Sequence, residues 1–288
     1  MTTFPEQLKI IFADIKIQHT VFALPFAVMS AFLAAGGMPA PQTLFWIVVA
    51  MFGGRSAAMA FNRIVDARYD KLNPRTENRP LPAGRVSVGR YWVFLIASSL
   101  LLVLAAAMLN RLALYLSPLA LALVFFYSLT KRFTAYSHLF LGLALAVAPV
   151  GAWVAVRAEI SPAALLLGAA VVFWLAGFDI IYACQDVESD RRNRLRSLPA
   201  TLGVARALTL ARFFHAVMVA VLLLLLPAFP LLGSLYLAGV VLVAGLLAYE
   251  HSLVKSGDLS KVNIAFFNVN GIIGVLLMTL VIADCVWV

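Results

Sequence analysis

Two short stretches of this 288-residue chain carry acids at helical spacing. Asn62, Asp66 and Asp70 lie four residues apart, with Arg55 seven residues before Asn62. At about 3.6 residues per turn these four side chains share one face of a helix. Asp179, Tyr182, Asp186 and Asp190 form a second such row. Asp179 interrupts an otherwise apolar run, where an ionised carboxylate is expensive unless partnered. Carboxylates crowded in this way repel, and they stay ionised together only with cations among them. Oxygen donors without His or Cys point to Mg²⁺, Mn²⁺ or Ca²⁺ rather than zinc. Mg²⁺ favours a few carboxylates completed by water and phosphate oxygens. Arg75, Arg79, Lys131, Arg132, Arg191 and Arg192 stand beside the acids as natural partners for a polyanion. Metal, bases and greasy surroundings together suit a substrate with a diphosphate head and an isoprenoid tail.

The acid pairs sit in segments that resemble each other. Asp66-x3-Asp70, a basic stretch and Arg79-Pro-Leu-Pro-Ala83 are followed, 120 residues on, by Asp186-x3-Asp190, a basic stretch and Arg196-Ser-Leu-Pro-Ala200. Repeated halves that bring polar residues to a shared interface are a common plan in membrane proteins. The expected organisation is one domain over 1–288, with pseudo-repeat halves at about 15–135 and 136–250 and a last helix at 263–285.

The elements that must position these residues are read from hydropathy. The chain is 63% hydrophobic and 12% charged, with a mean hydropathy of +0.97, far from the composition of a soluble domain. A crossing needs roughly 20 apolar residues. Candidate spans fall near 18–36, 42–62, 91–109, 112–129, 138–156, 162–184, 207–226, 231–249 and 263–285. The expected fold is an all-α membrane protein, a bundle of about nine transmembrane helices around a central cavity. Arg111 and Arg157 fall on one side and Arg55 within a span, and every other Lys and Arg falls on the opposite side. That asymmetry predicts a cytoplasmic N-terminus, a C-terminus outside and a site facing the cytoplasm. It also explains the net charge of +9 without nucleic acid. Cys184 and Cys285 stand in no metal spacing, and no cleavable signal peptide is evident.

At these residues the sequence resembles the UbiA superfamily of membrane prenyltransferases. The family's N-x3-D-x3-D motif stands as Asn62-Arg-Ile-Val-Asp66-Ala-Arg-Tyr-Asp70, and its D-x3-D motif as Asp186-Val-Glu-Ser-Asp190. The segments Asn73-Pro-Arg-Thr-Glu-Asn-Arg-Pro-Leu-Pro-Ala-Gly84 and Tyr127-Ser-Leu-Thr-Lys-Arg132 also fit. The resemblance implies an enzyme of the bacterial cytoplasmic (inner) membrane. It would move a polyprenyl group from polyprenyl diphosphate to a hydroxylated aromatic acid, in ubiquinone or menaquinone biosynthesis. By motif position, Asn62, Asp66, Asp70, Asp186 and Asp190 would hold Mg²⁺, with the aspartates catalytic. Arg75, Arg79 and Lys131 would contact diphosphate or an acceptor carboxylate, with Arg132, Tyr182 and Asp179 beside them. The base that takes the final ring proton is not assigned. Where many members have Asn-Asp this chain has Asn62-Arg63, and the adjacent position points about 100° away, so Arg63 is not expected to remove a ligand. The subgroup most resembled prenylates 4-hydroxybenzoate; some of its members act on 1,4-dihydroxy-6-naphthoate in the futalosine route.

Other residues have blander readings. Lys16 and His19 share a face at the start of the first span, where snorkelling competes with an acceptor-carboxylate contact. Asn268 and Asn270 suit interhelical hydrogen bonds. Phe125, Phe126 and Phe133 suit packing or lipid contact more than a prenyl channel, and His138 and His215 have no evident partner. A transporter is the main rival, but its site would be expected at mid-bilayer on broken helices.

Overall fold

A computed structural model of the chain describes residues 4–15 and 22–287. Its secondary structure is helical, and eight helices are long and apolar enough to cross a membrane. They are α3 (Pro41–Asp70), α4 (Val88–Leu109), α5 (Arg111–Thr130), α6 (Ser137–Arg157), α7 (Pro162–Ala183) continued to Arg192, α10 (Val204–Ala228), α11 (Ser234–Leu253) and the Ile264–Trp287 run that contains α12 (Asn270–Trp287). Before these, α1 is Phe4–Asp14 and α2 is Leu24–Ala35; α8 (Val187–Arg192) and α9 (Leu198–Leu202) are short. The described part of the expected first span is α2, which at 12 residues is only about 18 Å long. Lys16 and His19 lie outside the described residues.

Breaks follow local chemistry. Proline opens α2, α3 and α7, where its missing N–H has no helical partner to lose. Gly36 ends α2 at φ +67°, a left-handed conformation that glycine adopts without steric penalty. Ser161 and Asn110 cap α7 and α5, accepting from the amides of Ala164 and Ala113. Asn110 also donates to the carbonyl of Val154 at 2.7 Å, pinning the α4–α5 corner to the end of α6.

In lipid, helices associate through close packing and hydrogen bonds. A Cβ at Gly142 of α6 would lie 2.6 Å from the Val172 carbonyl oxygen of α7, so only glycine permits this approach. Trp174, at the centre of the core, donates its indole N–H to Asn270 Oδ1 at 2.7 Å. The Asn270 amide donates to Glu250 at 3.0 Å and to the Ala265 carbonyl, a group exposed by the π-helical turn Ile264–Val269. Asn270 therefore ties three helices together, whereas Asn268 is exposed. His215, expected to be unpartnered, meets His251 at 2.9 Å and the Trp174 carbonyl at 3.1 Å. Phe125 stacks on Phe61, and Phe126 packs on Phe133 and Phe140. Outward-facing Leu100, Leu104, Leu224 and Val241 are where the bundle would meet lipid.

The two motif-bearing helices are the longest. α3, at 30 residues, spans about 45 Å, which exceeds a hydrocarbon layer of roughly 30 Å. It runs eight residues beyond the expected end at 62, since Arg63, Asp66, Arg68 and Asp70 lower the hydropathy without ending the helix. The run from Pro162 to Arg192 does the same, through a 3₁₀ turn at Cys184–Asp186.

Candidate active site

The extended ends of these helices face one polar cavity. Asn62, Asp66 and Asp70 line it from α3, and Asp179, Asp186 and Asp190 from α7 and its continuation. Arg75 and Arg79 come from the loop after α3, Lys131 and Arg132 from the end of α5. Five carboxylates thus meet four cationic side chains.

Each acid is held differently. Arg75 grips Asp186 with two bonds, Nε at 3.0 Å and Nη2 at 2.6 Å, and Asn73 adds a third at 3.0 Å. Arg79 donates to both oxygens of Asp70, at 2.9 and 2.7 Å. Arg132 reaches Asp66 at 3.4 Å and the Val65 carbonyl at 2.7 Å. Asp190 accepts from the Ser197 hydroxyl at 2.7 Å. Tyr182 receives Arg75 Nη1 on its hydroxyl at 3.0 Å, and its ring packs 4.2 Å from that of Phe266.

Lys131 reports on the whole arrangement. Burial disfavours its ammonium, yet the charges of Asp190, Asp179, Asp186 and Asp66 hold its pKa above the ordinary lysine value. One side chain therefore feels acids from both helices. Arg75 is raised as well, its burial more than offset by Asp186, with Tyr182 and Asp70 adding to the effect. Burial lowers Arg79, reinforced by the Arg63 charge against the opposing pull of Asp70.

Arg63 does turn away from the cavity. It is buried against Asp14 of α1, with Nε 3.0 Å from Oδ2 and Nη2 3.0 Å from the backbone carbonyl, and Tyr91 donates to the same carboxylate at 2.6 Å. It also touches the motif, since its Nη1 donates to Asn62 Oδ1 at 3.2 Å while the Asn62 amide nitrogen donates to Asp66 at 2.8 Å. Arginine offers only donors and a carboxylate only acceptors, which leaves one orientation for the amide. The Asn62 oxygen, the atom a metal would use, is thus turned toward Arg63.

Arg191 and Arg192 do not join the cavity. Arg191 caps the Ala200 carbonyl at 3.0 Å, and Arg192 is exposed beside Glu188. From acid to arginine the second loop is six residues (Asp190 to Arg196) and the first nine (Asp70 to Arg79). Arg196 accordingly bonds the Phe133 carbonyl rather than an aspartate. Arg55, on the expected face of α3, lies outside the lining.

The residue missed in the sequence is His138. It is fully buried at the start of α6, with Nδ1 2.7 Å from Asp179 Oδ2. Its partner lies 41 residues away on another helix, so no short spacing signals it.

Among the described residues no three His, Cys, Asp or Glu side chains gather as a ready metal cluster. The donor set still fits Mg²⁺, with aspartate oxygens from two helices about one cavity and basic side chains placed for phosphate.

Comparisons with known proteins agree with this geometry. The model of the UbiA prenyltransferase family matches residues 23–272. The 4-hydroxybenzoate octaprenyltransferase of Marinobacter nauticus is 34% identical over 242 residues, covering 83% of this chain and 81% of its own. That of Nitrosomonas europaea is 32% identical over 263 residues, covering 88% and 87%. The apo structure of a UbiA homolog from Aeropyrum pernix K1 matches with a TM-score of 0.84 at 35% identity, covering 93% of this chain and 98% of that one. A UbiA homolog from Archaeoglobus fulgidus bound to GPP and Mg²⁺ has the same fold, with a TM-score of 0.73 at 20% identity and coverage of 96% and 99%. Fold, motifs and relatives concur that this chain belongs to the UbiA prenyltransferase family.

Proposed function

We propose that the chain transfers a polyprenyl group from polyprenyl diphosphate to a 4-hydroxybenzoate-type aromatic acid, in respiratory quinone biosynthesis. The observation that carries this reading is the gathering of Asp66, Asp70, Asp179, Asp186 and Asp190 with four cationic side chains about one cavity at the helix ends. A transporter site would be expected deeper, at broken helices. The curated relatives support 4-hydroxybenzoate as the acceptor class. The excess of basic residues on the same side supports a site facing the cytoplasm.

Asp66, Asp70, Asp186 and Asp190 would hold Mg²⁺, which supplies Lewis-acid stabilisation of the diphosphate as it departs. Arg75, Arg79, Lys131 and Arg132 receive the diphosphate oxygens, with Arg75 and Arg79 able to pivot from their aspartates. A diphosphate arriving without cations would add negative charge to a site where carboxylates already outnumber bases. Preorganised charge of this kind favours heterolysis of the allylic C–O bond. The prenyl cation is then captured by a ring carbon ortho to the acceptor hydroxyl.

The test uses the full chain in liposomes with Mg²⁺, labelled polyprenyl diphosphate, and either 4-hydroxybenzoate or 1,4-dihydroxy-6-naphthoate. Prenylated 4-hydroxybenzoate is expected, and Asp66→Ala and Asp186→Ala should each abolish it. Undiminished product from either variant overturns the ligand assignment. Product with the naphthoate alone moves the enzyme to the other acceptor.

A further inference from the structure

Asp179 differs from the other carboxylates of the cavity in what holds it. Asp66, Asp70 and Asp186 are each engaged by an arginine, and Asp190 by the Ser197 hydroxyl. Asp179 is held by an imidazole, at 2.7 Å. The tautomer of that imidazole follows from its second contact. The backbone N–H of Leu198 donates to His138 Nε2 at 3.4 Å, so Nε2 is the acceptor nitrogen. The ring proton then sits on Nδ1 and is donated to Asp179 Oδ2. His138 is fully buried and enclosed. The α6–α7 approach that brings it to Asp179 is the one Gly142 permits, one turn further along α6.

Depth separates Asp179 from the diphosphate site. It lies seven residues before Asp186 on the same helical run, which is about 10 Å deeper in the bundle. A prenyl diphosphate with its head at the motif acids must send its chain inward, so an acceptor ring that meets the reacting carbon sits on the inner side of the phosphates. Asp179 still lines the cavity, and its Oδ1 is not used by the imidazole bond. The Asp179 charge acts on Lys131, which lines the same cavity.

We propose that Asp179 is the base that removes the ring proton after prenylation, with His138 as the positioning residue that orients it. This inference rests on the prenyl-transfer reading above. The allylic C–O bond breaks with its electron pair leaving on diphosphate, and the ring carbon bonds to the prenyl cation. The C–H pair at that carbon then returns to the ring as the proton passes to Asp179. The resulting carboxylic acid gives its proton to released diphosphate or water.

The test uses the full chain in liposomes with Mg²⁺, geranyl diphosphate, and 4-hydroxybenzoate carrying either hydrogen or deuterium ortho to the hydroxyl. Diphosphate release and prenylated product are measured separately. Asp179→Asn should lower product by on the order of 100- to 10,000-fold, the usual contribution of a general base. It should still release diphosphate, with the donor diverted to prenyl alcohol. Residual product should show a primary deuterium effect absent in the wild type. His138→Leu should lower kcat with the same isotope signature and an unchanged donor KM. His138→Gln, which keeps one donor and one acceptor, should recover much of the loss. Parallel loss of diphosphate release and product in Asp179→Asn would place Asp179 in donor activation and overturn the proposal, as would a His138→Leu enzyme with normal kcat. Wild-type protein that releases no diphosphate with Mg²⁺ would refute the underlying prenyl-transfer reading instead.

Discussion

Arg75 and the proposed divalent metal would compete for the same two oxygens of Asp186, which gives Arg75→Gln an expected effect of opposite sign on the two ligands. Arg75 holds Asp186 at 3.0 and 2.6 Å, with 35% of its side chain exposed. Exposure of that extent screens the pair, and about 1 kcal/mol is a fair value for it. Removing the guanidinium releases that competition, so Mn²⁺ should bind roughly fivefold more tightly in the absence of donor. The prenyl diphosphate loses a charged hydrogen-bond donor, worth about 1.5–3 kcal/mol, and its affinity should fall roughly 10- to 150-fold. Free Mn²⁺ read by electron paramagnetic resonance during titration measures the first effect, and displacement of a non-hydrolysable prenyl diphosphate analogue measures the second. Mn²⁺ affinity that falls or stays constant would refute the competition and with it the role of Asp186 as a metal ligand.

Two further outcomes follow from packing. Arg63 and Asp14 are buried together, at 4% and 5% side-chain exposure, so Arg63→Met leaves a buried charge and should reduce the unfolding free energy by about 3–5 kcal/mol. Thermal unfolding in detergent checks this, and adding Asp14→Leu should recover much of the loss. Gly142→Val places a side chain against the Val172 backbone and should cost about 1–3 kcal/mol of stability, with turnover falling as His138 is drawn from Asp179. Unchanged stability and turnover would show that α6 and α7 tolerate separation.

The acid rows were legible because helical spacing alone aligns Asp66 with Asp70 and Asp186 with Asp190, and because few charges compete for notice in so apolar a chain. Arg75 and Arg79 could be read from proximity along the chain, Lys131 and Arg132 from the Tyr127–Arg132 segment that fits the family, and the cavity gathers all four. Proximity misled for Arg191 and Arg192, which follow Asp190 on α8 and so point about 100° and 200° away from it, while a loop three residues shorter sends Arg196 to the Phe133 carbonyl. Helix ends were underestimated at 62 and 184 because hydropathy falls at charged residues while the helix runs on, stabilised by pairs such as Arg79 with Asp70. His138 and His215 looked idle because their partners, Asp179 and His251, are distant in sequence and meet them only through tertiary packing. Arg63 was read correctly as turned from the cavity, but its hold on the Asn62 oxygen needs Asp14 of α1 to be in place, which no local spacing reveals.

Sharing of one anion by α3 and the α7–α8 run is tested most directly by phosphorus hyperfine coupling to bound Mn²⁺. The spectrum would be recorded with a non-hydrolysable prenyl thiodiphosphate on the wild type, Asp66→Ala and Asp186→Ala. The wild type should show coupling between Mn²⁺ and phosphorus, and each single substitution, although on a different helix, should weaken or abolish it. Full coupling in either variant would contradict a site shared between the two helices.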